Sequence, residues 1–367
     1  MPFDGLREFL SLLETKNELA RVSKEVNTVS YEVSAILDRL QKLKGKAVIF
    51  ENMRNYDVHL CANVLGTFKR VSMALEASED QVFNTWAKRK MSNWPTPLKV
   101  SDGSCQEIII KKQDIDLYQY PILKWNPLDA APYVTFGALI SKDPETGDRN
   151  VGIYRLMVQG KNQLGINLLK GRHAGIHYMK AEAKDQPLEV AVAIGLDPTV
   201  LLAAATDLKL GEDELAFAGA LRREPVKVVQ CKTVDVDVPE SSEIVFEGTI
   251  PPKVRMLEGP FGESNGYYGK AFCRPVLKLT AVTHREKPVY QATYTGKRPK
   301  EEHYISSFNN AFKNSSTDDF FSLRKMLSHI CPESYRRVKL LLTSKRIELP
   351  VDTVNRVAKN WSSYRLD

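Results

Sequence analysis

Val134-Thr135-Phe136-Gly137-Ala138-Leu139-Ile140 opens the stretch that decides the fold. Val151–Val158 follows it after the turn Asp143-Pro144-Glu145-Thr146-Gly147-Asp148, and Leu164–Leu169 follows after Gly160-Lys161-Asn162. The three apolar runs are rich in β-branched residues, and the turns between them are too short to hold a helix. Strands joined in this way predict an antiparallel meander. Helices are predicted next at 174–184, 198–205 and 212–222. Strands resume at Val226–Val234, Glu243–Phe246, Val276–Thr283 and Val289–Thr293. A sheet interrupted by helices predicts a barrel or an open sheet with inserted helices.

Upstream, residues 93–132 carry Pro95, Pro97, Pro121, Pro127 and Pro132 around one predicted strand, Glu107–Lys111, and are read as a domain junction. The N-terminal third reads as a separate α/β lobe. A helix over 4–16 is predicted, with Asp4 as N-cap and Leu6, Phe9, Leu10 and Leu13 on one face. A second helix covers 30–42, strands cover Ala47–Phe50 and Val58–Val64, and a third helix covers 79–90. Beyond Lys300 the pattern weakens, leaving a predicted helix at 318–329.

Composition narrows the class. The 367 residues are 43% hydrophobic and 26% charged, as in water-soluble globular chains. No apolar run approaches the length that crosses a bilayer, and Met1-Pro2-Phe3-Asp4 does not begin a secretory signal. Five cysteines are scattered and never spaced as C-x-x-C, which argues against a disulfide framework or a zinc ribbon. A cytoplasmic location is expected. The formal net charge of +7 favours anionic ligands. The clusters Lys42-Leu43-Lys44-Gly45-Lys46 and Lys88-Arg89-Lys90 lack interleaved aromatics, so nucleic acid is not expected as a partner. No dinucleotide fingerprint, Walker loop, H-E-x-x-H or EF-hand loop is present.

Four clusters carry candidate chemistry. Glu258-Gly259-Pro260-Phe261-Gly262-Glu263-Ser264-Asn265-Gly266-Tyr267-Tyr268-Gly269 is too rich in glycine for a regular element. It is read as a tight loop holding two carboxylates, the groups that handle protons in a partly dry site; the plain alternative is a surface turn. Its G-x-S-x-G match at Ser264 lacks the strand-to-helix setting of a hydrolase elbow. The second cluster, Arg149-Asn150-Val151-Gly152-Ile153-Tyr154-Arg155, begins a strand. On strict alternation Asn150 and Arg155 face opposite ways, so one shared site requires a twist or bulge, for which Gly152 is suited. The third is Lys170-Gly171-Arg172-His173, and the fourth is Glu212-Asp213-Glu214, at a predicted helix start. Alone, His173 reads as a loop histidine and Glu214 as a favourable helix-start charge.

Together, these clusters resemble the UbiD decarboxylase family. The likeness rests on Asn150 and Arg155, Arg172-His173, Glu214-Leu215-Ala216-Phe217-Ala218-Gly219, and the E-G-P-[FY]-G-[ED] loop from Glu258 to Glu263. Trp125-Asn126-Pro127-Leu128-Asp129-Ala130-Ala131-Pro132 and Tyr294-Thr295-Gly296 add to it. The family's T-G-x-P-P appears as Thr295-Gly296-Lys297-Arg298-Pro299, and from His303 the pattern is lost, so a truncated or divergent C-terminal segment is expected.

The resemblance implies an α+β protein in three parts: an N-terminal lobe (1–112), a central antiparallel split β-barrel of flavin-reductase type (113–300), and the C-terminal segment (301–367). It implies prenylated FMN lined by Ile153, Tyr154, Arg155, Asn167, Leu168, Leu169, Arg172 and His173. It also implies Mn2+ or Mg2+ on Asn150, His173 and Glu214, and potassium near the Ala203–Thr206 carbonyls. Arg155, Glu258 and Glu263 would form the catalytic set of a reversible decarboxylase of aromatic or α,β-unsaturated acids, of which 4-hydroxy-3-polyprenylbenzoate in ubiquinone synthesis is one. A UbiX-like flavin prenyltransferase would supply the cofactor, and a homo-oligomer is expected. Competing expectations are a non-catalytic homologue or assembly subunit, and a split-barrel FMN oxidoreductase.

Overall fold

Strand Phe272–His284 is the spine of the molecule. A computed structural model describes residues 3–309 and 345–366; the helix predicted at 318–329 lies outside the described residues. The spine belongs to a ten-stranded sheet whose path runs Tyr133–Val134, Leu156–Gly160, Gln163–Ile166, Phe272–His284, Ile244–Ile250, Leu188–Ile194, Ala138–Lys142, Arg149–Ile153. Ile108–Lys111 and Arg255–Glu258 also pair antiparallel with the spine. The fold is mixed α and β, and the sheet path is open: its two end strands do not pair with each other.

Leu188–Ile194 shows why the sheet sits where it does. Leu188, Val190, Val192 and Ile194 enter one hydrophobic core, while Ala191 and Ala193 enter the other. Alternate residues of a strand face opposite ways, so the bulky side chains fill one face. The alanines share the other core with residues of the helices Pro198–Ala204 and Glu214–Arg222. A strand buried on both faces reads as a continuous apolar run, and this one was absent from the sequence expectation.

Two predicted strands divide. Val134–Ile140 becomes Tyr133–Val134 and Ala138–Lys142, and Val151–Val158 becomes Arg149–Ile153 and Leu156–Gly160. The second division has the larger consequence. Arg149–Ile153 ends the sheet path, whereas Leu156–Gly160 lies next to its other end. Only Tyr154-Arg155 joins them, a link that spans at most about 10 Å. The sheet must therefore curl until its ends nearly meet, and Arg155 sits in the gap.

The N-terminal sheet has the order Leu19–Val22, Ala47–Phe50, His59–Ala62, Val289–Ala292. Its last strand arrives from the far side of the spine and runs parallel to His59–Ala62. The first helix is Leu6–Thr15, and it buries Leu6, Phe9, Leu10 and Leu13. Its N-cap is Gly5 rather than Asp4, whose backbone N–H instead donates to Glu8 at 2.8 Å. The C-terminal helix Val351–Lys359 packs on Glu32–Lys42, and the Tyr364 hydroxyl bonds Glu32. Just before it, Lys345 O accepts from Tyr268 N and Ile347 N donates to Gly266 O, both at 2.9 Å.

Candidate active site

Three strand ends converge on the gap. Glu258 closes the strand Arg255–Glu258 and is fully buried. Gly259 turns the chain at φ +91, a region that disfavours side chains. The chain then forms a short hairpin, Phe261–Gly262 against Tyr268–Gly269, with Glu263 at its tip. Arg155 donates to Glu258 from Nε (2.9 Å) and Nη2 (2.7 Å), a bidentate pair. Its Nη1 bonds Glu263, and its guanidinium lies 5.2 Å from the Phe261 ring centre. Burial opposes the charge on Arg155, but the hydrogen bonds to Glu258 and both carboxylate charges outweigh it, and its pKa rises. The side chains of Glu258 and Glu263 differ in access, at 0% and 37% exposed.

Asn150 and Arg155 share this region without the bulge that strict alternation demanded. The strand stops at Ile153 and a new one starts at Leu156, so the facing of side chains is reset at the link. Glu214 opens the helix Glu214–Arg222 and accepts from Val151 N at 2.8 Å, one residue beyond Asn150. Glu214 is 3% exposed, and burial pushes its carboxyl up to about 8. His173 opens the helix His173–Ala183 with Nδ1 3.9 Å from Glu214. Burial, and then neighbouring Arg172, lower its pKa. Asn150 is buried, and its Nδ2 makes no hydrogen bond.

An unpaired amide, an imidazole and a carboxyl with spare oxygen capacity form a hard donor set that fits Mn2+ or Mg2+. Among the described residues no group of three or more His, Cys, Asp or Glu could hold a metal; this set uses an asparagine.

The residues expected around a flavin lie in two stretches flanking the gap. Ile153 and Tyr154 are half-buried, Leu168 is buried, and Leu169 is exposed. Asn167 Oδ1 is buried without a partner. Arg172 is the N-cap of the helix that His173 starts, caps it with no side-chain bond, and pairs with Asp207 at 2.8 Å. A helix start with an adjacent arginine suits a phosphate, so these residues fit a flavin mononucleotide. The Ala203 and Ala205 carbonyls already accept from Thr206 N and Asn309 Nδ2.

Sequence reasoning missed the support under the loop. Asp129 is 2% exposed; its Oδ1 accepts from Gly262 N at 2.9 Å and its Oδ2 from Asn126 N at 2.8 Å. Ala130 N and the Tyr133 hydroxyl donate to Pro260 O, Leu128 N donates to the Tyr268 hydroxyl, and the Tyr294 hydroxyl donates to Asn126 Oδ1. A run of turn formers ending in an acid, Asn126-Pro127-Leu128-Asp129, was the available signal. Ser264 lies in the hairpin turn, not between strand and helix, which removes the hydrolase elbow.

The chain is similar to known carboxy-lyase domains. Residues 97–298 match the 3-octaprenyl-4-hydroxybenzoate carboxy-lyase Rift-related domain, UbiD. Residues 10–90 match the corresponding N-terminal domain. The fold thus falls in a class of carboxy-lyase domains, and the chain belongs to the UbiD family. The UbiD-class enzyme HmfF from Pelotomaculum thermopropionicum, solved with FMN, is 40% identical with a TM-score of 0.77, over 84% of this chain and 68% of that one. The closed form of vanillic acid decarboxylase from Sedimentibacter hydroxybenzoicus is 32% identical with a TM-score of 0.80, over 83% and 67%. A protein of Archaeoglobus fulgidus is 38% identical over 83% of this chain. The chain spans 66% of that relative's length and 64% of a Synechocystis relative's.

Proposed function

We propose that this chain is a reversible, non-oxidative decarboxylase of an aromatic or α,β-unsaturated carboxylic acid that uses prenylated FMN. The observation that carries the reading is the bridging of Glu258 and Glu263 by one guanidinium at the gap of the curled sheet. Such a sheet is read as a split barrel of flavin-reductase type.

When bound, prenylated FMN supplies an electron sink for the pair left behind as carbon dioxide departs from an sp² carbon. Asn167, Leu168, Leu169, Tyr154 and Ile153 line it, and Arg172 with the start of the His173–Ala183 helix faces its phosphate. Asn150, His173 and Glu214 hold the divalent ion, and carbonyls near Ala203–Thr206 hold potassium.

Exposure separates the two acids. Glu258, fully buried and bidentate, keeps Arg155 charged and aimed, and Arg155 orients the substrate carboxylate. Glu263, over a third exposed, exchanges protons with solvent. In its protonated state Glu263 delivers the proton that replaces carbon dioxide at carbon, and its carboxylate then re-pairs with Arg155. High carbon dioxide drives the reverse direction. The vanillic acid decarboxylase relative favours an aryl acid substrate; 4-hydroxy-3-polyprenylbenzoate on the route to ubiquinone is one candidate. A UbiX-like flavin prenyltransferase as cofactor supplier, a homo-oligomeric enzyme and a cytoplasmic location complete the proposal. No helix among the described residues is long and apolar enough to cross a membrane.

The test is purification after co-expression with a flavin prenyltransferase, followed by a screen of aryl and cinnamic-type acids for carbon dioxide release. Glu263→Gln is expected to retain flavin and fold while turnover falls ~10²-fold or more, as for loss of a placed proton donor. Near-normal turnover in that variant would overturn the role of Glu263. Absence of flavin from the wild-type protein would overturn the cofactor.

A further inference from the structure

Gly262, the residue before Glu263, is bonded from outside its own hairpin at both backbone groups, its carbonyl accepting from Thr295 Oγ1 at 2.9 Å. Its backbone N–H donates to Asp129 Oδ1 at 2.9 Å, a contact between residues 133 positions apart. The same carboxylate accepts from Asn126 N at 2.8 Å and Asn126 Nδ2 at 3.5 Å on its other oxygen. Space is tight as well: a Cβ on Gly262 would lie 2.6 Å from Asn126 Nδ2. Asp129 is 2% exposed, and neither it nor Asn126 touches Arg155, Glu258 or Glu263 through a hydrogen bond or ion pair. The loop is thus held from beneath by a carboxylate outside the acid pair.

We propose that Asp129, in its ionised form, is the positioning residue that fixes the Phe261–Gly262 peptide, and so the adjoining Glu263, against Arg155. The proposal deepens the decarboxylase reading and rests on it for its consequence in turnover. The geometry explains why the charge state matters. An ionised carboxylate only accepts hydrogen bonds, and this one faces N–H donors on both oxygens. Protonation places a hydrogen on one oxygen, so one of those N–H groups loses its acceptor.

Burial pushes the Asp129 carboxyl up to about 6, the Gly262 and Asn126 donors pulling the other way. Lys124 acts on it electrostatically and favours the anion. The phenols that feel its charge, Tyr31, Tyr133, Tyr268 and Tyr294, are all shifted upward and stay neutral through this range. The direction follows: the clamp is set above the raised pKa and released as pH falls through it.

Amide hydrogen exchange on the full chain tests the clamp without relying on turnover. With exchange corrected for intrinsic rates, the peptide spanning 259–266 is expected to lose protection as pH drops from about 7.5 to 5, the span of this titration. The Leu188–Ile194 strand is the unchanged control. In Asp129→Asn the loop is expected to show no pH step, because an amide does not titrate. In Asp129→Ala, exchange of the loop should rise at least ~10-fold, the scale of one lost buried hydrogen bond. A wild-type loop with no step between these pH values, or a step that persists in Asp129→Asn, overturns the proposal. If Asp129→Ala unfolds globally, the wild-type and asparagine series still decide.

On substrate, Asp129→Ala should lower kcat at least ~10-fold with KM nearly kept, since Arg155 and Glu258 remain in place, and Asp129→Asn should recover part of that loss. A rise in KM alone would overturn positioning of Glu263. A wild-type chain that shows the exchange step but releases no carbon dioxide would sink the decarboxylase reading and leave the clamp standing.

Discussion

The two charge clusters flanking the Tyr154-Arg155 link are finished to different degrees. Around Arg155 every strong demand is met within the protein: Glu258 takes two of its donors and Glu263 a third, and the arginine's charge is held up. Around Glu214 the demands are open. Its carboxyl accepts from Val151 N, its pKa is pushed up to about 8, His173 stands 3.9 Å off, and Asn150 Nδ2 has no partner. The first cluster is preorganised by its own counter-charges. On the proposed function the second would become a charged site when a cation arrives, and the difference would separate a site that orients a reacting acid from one that recruits a cofactor.

The largest effect should come from breaking the finished cluster. Arg155→Ala leaves Glu258 without a counter-charge at zero exposure. Removing one partner of a buried pair costs about 3 to 5 kcal/mol, and urea unfolding of the cofactor-free protein should show a loss of that size. Adding Glu258→Gln should return part of it, because the stranded charge is gone. A loss below about 1 kcal/mol, the range of an exposed pair, would mean that Glu258 is not buried as described.

The unfinished cluster should respond to a ligand. Mn2+ at about a hundred times its dissociation constant should stabilise the chain by about 2.7 kcal/mol, read as a rise in Tm. Glu214→Gln should abolish most of that rise, and Arg155→Ala should keep it, since Arg155 belongs to the other cluster. Should wild-type Tm stay flat up to millimolar Mn2+, the three residues do not share an ion.

What could be read in the sequence follows the same division between local and long-range causes. The helices at 6–15 and 32–42 were legible because each shows one apolar face. The acidic loop was legible because its glycines forbid regular structure. Leu188–Ile194 gave no alternation to notice, since its large and small residues face two cores that only the tertiary fold creates. The break at Tyr154-Arg155 was hidden too: apolar residues continue on both sides of it, and only the curl of the sheet separates the strands. Asp129 was quoted as part of a motif, but its role depends on Gly262, far away in sequence, and no local pattern predicts a bond of that span.

The smallest effect on stability, and the sharpest on the second cluster, should come from Arg172→Ala. Its side chain is 62% exposed, and its partner Asp207 is 37% exposed. Exposed pairs contribute about 0 to 1 kcal/mol, so Tm should barely move. Flavin retention should move much more. The helix that starts at His173 has no side-chain cap beside this guanidinium, and a phosphate held there would lose a charged hydrogen bond, about 1.5 to 3 kcal/mol. FMN affinity should therefore fall roughly ten- to a hundredfold by fluorescence titration, while Arg172→Lys keeps the charge and recovers part of it. Unchanged FMN affinity in Arg172→Ala would place the phosphate elsewhere and detach the helix start from the cofactor site, leaving the Arg155 cluster untouched by the result.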